Sequence, residues 1–243
     1  MGLLDIFKPK SPLERAAKNI REGFAQPEVR REAMAKLFDI GTEEAFDALL
    51  TRFTYNSHGN IADESEKRDL VGQIVTAGEE MIPALHRYIE TEKALSFPIR
   101  ALAQIVSKQE CLDFLARTLQ AKEPLDHRTT EAKRALVTAI GDMGGEEQAP
   151  VLYPYLEDHN DDVQMQAVES IERLASEDSA AALAEVCCRD THAARVQHRA
   201  ALALLKLEFN VKPHYAKFAE DVKREFVLGK KGVLARKGGG SKS

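Results

Sequence analysis

Long polar side chains recur along this chain in pairs at one spacing: Arg30 with Arg31, Lys67 with Arg68, Lys133 with Arg134, and Gln197 with His198 and then Arg199. Arg100 falls at the same interval. Cations in such an array break no bonds by themselves. They can grip carboxylates or phosphates, and the guanidinium fork suits two-point contact with either. The competing use is a solvated face, on which nearby acids such as Glu32, Asp69 and Glu131 pair with them at little net gain.

Other residue sets point to chemistry less well. Asp158, Asn160, Asp162 and Glu169 fall at positions 1, 3, 5 and 12 of a calcium loop, but Val163 stands where that loop needs glycine. A turn followed by a helix cap explains them better. The seven histidines are scattered, and no glycine-rich phosphate loop is present. Cys187 and Cys188 are neighbours on a predicted helix and point in different directions, so a buried structural role is expected. The reading assigns no catalytic residue, no metal ligand and no cofactor.

The elements that would position the basic pairs are helices. Val29, Ala33, Leu37 and Ile40 sit at offsets that share one helical stripe, and the same offsets give Val163, Ala167, Ile171, Leu174 and Val196, Ala200, Leu204, Leu207. They also give Ala132, Leu136, Ile140, Met143 and, with one polar member, Glu66, Leu70, Ile74, Ala77. A stripe returning at this period is the mark of stacked helical hairpins, each burying its face against its neighbours. Glycines at 41, 78 and 144 fall where helices reverse, and prolines at 27, 83, 98, 150 and 213 fall near helix starts. Ser11-Pro12-Leu13-Glu14 opens a further helix, whose Leu13, Ala16, Ala17, Ile20 and Phe24 would cover the open end of the stack.

One unit reads Pro27-Glu28-Val29-Arg30 through Ala33 and Gly41 to Ala45 and Leu49. This string resembles bacterial HEAT-like repeats of the phycobilisome-lyase type, and similar strings continue to about residue 212. The resemblance implies an all-α, right-handed α-solenoid of about six hairpins. Its divisions are a lead-in and capping helix over 1–26, the array over 27–212, a capping helix over 213–228 and a disordered basic glycine-rich tail over 229–243. It further implies that Arg30, Lys67, Arg100 and Lys133 bridge to acids of neighbouring units, leaving Arg31, Arg68 and Arg134 free along the inner face. The missing His-Glu dipeptide argues against the di-iron hydroxylase built of such repeats.

Composition fits a helical chain without a membrane span: 44% hydrophobic, 30% charged, 6% aromatic, no tryptophan. An odd number of cysteines and no export leader point to a reducing cytoplasm. The net charge is −5, although the tail is basic. Residues 55–65 lengthen one repeat, either as a solvated insertion or as a lip on the binding face.

The functional expectation is a monomeric, non-catalytic scaffold whose concave face binds a protein or peptide partner of acidic character. Arg31, Arg68, Arg134 and His198 would supply charge on that face, with Met34 and Phe38 as apolar anchors. The alternative is a nucleic-acid-binding protein, similar to the HEAT-like alkylpurine DNA glycosylases, with the basic column and tail on phosphates. The acidic body and the lack of tryptophan weigh against it. A bilin-lyase-like enzyme comes third, with no residues to assign to it.

Overall fold

The computed structural model describes residues 11–23, 25–57 and 59–237. Expectations concerning Met1 to Lys10, Phe24, His58 and Gly238 to Ser243 lie outside the described residues. The chain divides into two compact units, Met1–Cys111 and Leu112–Ser243. Each is a set of packed helices joined by tight turns, and the fold class is all-α, as the repeats predict.

The first unit opens with α1 (Pro12–Arg21). The Glu14 amide donates to Ser11 Oγ at 3.1 Å and the Ser11 amide to Glu14 Oε2 at 2.7 Å, satisfying two orphan donors of the helix start. α1 lies on α2 (Pro27–Ile40) and buries Ala16 and Ile20. Gly41 ends α2 at φ 63°, the left-handed stop that its position predicts. Next come α3 (Glu43–Leu50), α4 (Asn60–Ala77), α5 (Ile82–Thr91) and α6 (Ser96–Ile105), with α3 against α5 and α4 against α6. Leu37, Leu49, Leu70, Ile74, Leu85 and Ile89 are fully buried between them. The predicted stripe holds except at its first member, Val29, which is exposed.

In the second unit α7 (Lys108–Gln120) leads from the boundary to α8 (Thr130–Met143), α9 (Ala149–Leu152), α10 (Asp161–Leu174), α11 (Ser179–Cys188) and α12 (Ala194–Lys206). Helices α8, α10 and α12 form one row, with α9 against α10 and α11 against α12. The row is tight. A Cβ on Gly141 would lie 2.4 Å from Ser170 Cβ, so only glycine lets α8 come this close to α10. Gly144 also needs its lack of side chain, since a Cβ there would sit 2.6 Å from the Ile140 carbonyl oxygen.

The C-terminus departs from expectation. The helix expected over 213–228 is confined to α13 (Glu220–Glu225), and the described part of the expected disordered tail is a hairpin of β1 (Phe226–Leu228) and β2 (Leu234–Arg236). Phe226 pairs with Arg236 and Leu228 with Leu234. The physical reason is one buried apolar residue on each strand: Phe226 and Leu234 are buried while the residues beside them stay half-exposed, and Gly229 and Gly232 bound the turn. The Val211 amide donates to the Gly232 carbonyl at 2.9 Å, fixing the hairpin to the end of the array.

Two substitutions test this account. Gly141→Ala should cost about 1–3 kcal/mol by overpacking. Ala175, which ends α10 at φ 54°, should accept glycine with a gain of up to about 1 kcal/mol. Urea unfolding measures both; an unchanged midpoint for Gly141→Ala would refute the tight-row account.

Candidate protein-binding face

The paired polar positions have split into two rows. The first of each pair is buried: Arg30 is 4% exposed, Lys67 5%, Lys133 0% and Gln197 4%, and Gln164, which takes the same place on α10 ahead of Met165, is 7% exposed. The second of each pair faces outward or is half-exposed. A buried long polar side chain must find partners for every donor, and each finds them largely in the loop that leads into its own helix.

In the first unit those partners form an ionic cluster. Arg30 donates to Glu66 through Nε and Nη2, both at 2.9 Å, and to the Ala25 carbonyl at 2.5 Å. Glu66 lies on α4, so this pair ties α2 to the next repeat. Arg52, fully buried, donates to Glu66 and, at 2.5 Å, to Asp63, and its guanidinium stacks 4.8 Å over the Tyr55 ring. Lys67 reaches Asp63 at 2.9 Å and Asn56 Oδ1 at 2.7 Å. Ser57 completes the cage with its amide and hydroxyl, each 2.8 Å from Asp63 Oδ1. The 55–65 segment brings Ser57 and Asp63 into the cluster while most of its other described residues are exposed, and its second half is the first turn of α4.

The second unit repeats the theme with less charge. Lys133 Nζ lies 2.5 Å from Asp158 Oδ2 and donates to the Pro124 carbonyl at 2.6 Å. Gln164 Nε2 donates to the Asp158 carbonyl at 2.5 Å, and Gln197 Nε2 to the Arg189 carbonyl at 2.8 Å. His192, almost fully buried, lies between Gln164 Oε1 at 3.2 Å and Glu157 Oε1 at 3.3 Å. Asp158, one of the four calcium-like residues, is therefore occupied by Lys133. Asn160 caps α10, accepting from the Asp162 and Val163 amides.

The exposed row holds most of the predicted contact residues. Among the described residues Arg31 has only a same-helix partner, Glu28 at 3.6 Å, and Arg68 only Glu64 at 3.9 Å plus the Glu64 carbonyl. Such pairs contribute about 0–1 kcal/mol, so either arginine can exchange its partner for a ligand. Arg134 is exposed and has no ion pair among the described residues. Phe38 is half-buried, as a partial anchor would be.

Three expectations need correction. Met34 is 3% exposed and cannot anchor a partner. It shares its register with Val71, Val137, Val168 and Ala201, all buried, because each helix in the row is flanked on two sides. Arg100 is exposed and lies 5.7 Å over the Phe97 ring, so it bridges no acid of a neighbouring unit in the way Arg30 does. His198 is partly covered by the chain itself, with Nδ1 3.3 Å from Glu225 and its ring 5.6 Å from Phe226. The second unit adds ion pairs between its helices that repeat register does not indicate. Glu172 holds Arg199 at 2.5 Å and Lys206 at 2.6 Å, and Arg173 pairs with Asp142 at 3.1 Å. Their spacing along helices is a weak signal, because the partners belong to different repeats.

The cluster sets a pH dependence. Burial alone would raise the Asp63 and Glu66 carboxyls. The hydrogen bonds from Lys67, Ser57 and Arg52 to Asp63, and from Arg30 and Arg52 to Glu66, outweigh it and hold both below the usual carboxylate range. Folded values below unfolded ones mean stability that is present above about pH 4 and is lost as pH falls through the acid range. Glu66→Gln should cost about 3–5 kcal/mol, leaving two buried guanidinium groups short of charge, whereas Arg31→Ala should change stability by less than about 0.5 kcal/mol. Acid titration of unfolding, with a shallower slope in the Asp63→Asn variant, checks the sign; equal effects at 31 and 66 would refute the split into two rows.

A family profile described as HEAT repeats matches residues 122–205, which span α8 to α12 of the second unit. No curated protein matches the chain. Among the described residues no helix is long and apolar enough to cross a membrane. That match makes residues 122–205 similar to HEAT repeats, in keeping with the stacked helices of the second unit.

Proposed function

We propose that this protein is a non-catalytic scaffold that binds an acidic protein or peptide segment on the outward row of its repeat helices. The observation that carries this reading is the division of each basic pair. One member locks its helix to the loop before it, and the other stands exposed with a weak same-helix partner or none. A surface clamped from beneath meets its partner without first losing much conformational freedom, which lowers the entropic cost of association. HEAT repeats commonly serve as protein-interaction scaffolds, which supports the reading further. Arg31 and Arg68 occupy one register on α2 and α4, and Phe38 lies farther along α2 as a half-buried apolar contact. In the second unit Arg134 takes the corresponding place, and its neighbours toward α12 are already engaged with acids.

A partner of this kind is recovered by crosslinking in the native host and then measured with the purified chain. Arg31→Glu with Arg68→Glu, both in the first unit, should weaken that binding at least tenfold, about 1.4 kcal/mol, while the unfolding midpoint stays within the range of surface substitutions. Undiminished binding by the double reversal would exclude the outward row as the contact surface.

A further inference from the structure

Charge is segregated along this chain to a degree that its net value hides. Residues 1–205 carry 24 Lys and Arg against 35 Asp and Glu, while residues 206–237 carry nine against four. Of these nine, Lys206 on α12 and Lys223 and Arg224 on α13 are paired with acids, while four others lie on the C-terminal hairpin and one beside it. Lys230 and Lys231 occupy the hairpin turn, and Lys212 adjoins it, since a Cβ on Gly232 would lie 3.1 Å from Lys212 Cβ. Arg236 and Lys237 lie at the far end of β2. All five are exposed and have no ion pair among the described residues.

The turn itself shows a preference for charge over ease of folding. Lys231 and Gly232 are consecutive left-handed residues, at φ 63° and 82°. At 232 glycine is obligatory, because a Cβ would stand 2.3 Å from Asn210 Oδ1. At 231 glycine would be easier than lysine, whose Cβ is disfavoured in this conformation, yet lysine is present. Residues held in a costly backbone region are concentrated at functional positions. The turn is also rigid: Gly229 N donates to Val233 O at 2.7 Å, Val211 N to Gly232 O at 2.9 Å, and Lys212 N to Asn210 Oδ1 at 3.0 Å.

We infer that the C-terminal hairpin is a second binding site, separate from the outward row of the repeats, which contacts the phosphodiester backbone of a nucleic-acid duplex without reading its sequence. Two features favour this partner over other polyanions. No apolar side chain of the hairpin is exposed: Phe226 and Leu234 are buried, and Val227, Leu228 and Val233 are half-buried. A membrane surface would be held better with an apolar insertion, and a protein interface would need an apolar or aromatic anchor. A regular row of phosphates needs only cations, and sequence-independent binding to nucleic acid rests on that term.

The test is fluorescence anisotropy of a short labelled DNA duplex with the full-length chain, over a salt series. Three to five phosphate contacts predict a slope of log K against log salt of about −3 to −4.5. Lys230→Glu with Lys231→Glu should abolish most binding and flatten the slope by about 2. Lys231→Gly gives an independent readout, because relief of the left-handed strain should keep or raise the thermal midpoint while affinity falls severalfold. Phosphatidylserine vesicles and polyglutamate serve as competing probes. Absent duplex binding, wild-type affinity in Lys231→Gly, or equal affinity for either competing probe would overturn the inference.

Discussion

Desolvation of one long polar side chain per repeat is the constraint on which the rest of this molecule depends. Burying Arg30, Lys67, Lys133, Gln164 or Gln197 without partners would cost several kcal/mol for each amide and far more for each charge. That cost is offset only if loop carbonyls or carboxylates arrive at hydrogen-bonding distance. The loops before the helices therefore cannot wander: Ala25, Pro124, Asp158 and Arg189 are each held by a side chain from the helix that follows. Once those loops are fixed, so is the entry of every such helix, and with it the outward aim of the next residue along.

The two units meet this constraint with different chemistry. In the first, three cations surround two carboxylates, and the excess positive charge is taken up by the Ala25 and Tyr55 carbonyls and by the Tyr55 ring. In the second, charge thins out: Lys133 has Asp158, and then neutral glutamines do the same work through single amide hydrogen bonds. A neutral tie is cheaper to bury and does not titrate with the carboxylates. The acid sensitivity expected of this protein is accordingly a property of Asp63 and Glu66 more than of the fold class.

How far the amino-acid sequence discloses this arrangement depends on the range of the interaction that decides each feature. The helical stripes are local, and from Leu70 to Leu204 nearly every predicted member is buried. The buried roles of Arg30, Lys67 and Lys133 are those that the resemblance to HEAT-like repeats implies, but Arg100 departs from it, exposed and over the Phe97 ring. Met34 was open to misreading because width of burial depends on how many neighbours a helix has, which periodicity alone does not reveal. Ser57 and Asp63 lay in a stretch that looks like an insertion, and their importance shows only once Arg52 is brought against them. The C-terminal hairpin is the clearest case. Lysine and glycine content argued for a tail without a core, while the deciding signal was a short apolar run on either side of Gly-Lys-Lys-Gly.

That hairpin changes how the overall charge should be understood. A uniform net charge of −5 would describe a soluble acidic scaffold and nothing more. A repeat region with 35 acids against 24 bases, closed by a basic cap, is a dipolar arrangement in sequence terms. The acidic surplus of that part opposes a polyanion such as nucleic acid more strongly than a short acidic segment, which is the kind of ligand proposed for Arg31, Arg68 and Arg134. The cap instead carries a surplus of cations, and its hairpin exposes no apolar side chain. Both proposed ligands are anionic, so what would separate the two sites is the charge surrounding their cations and not the sign of the partner.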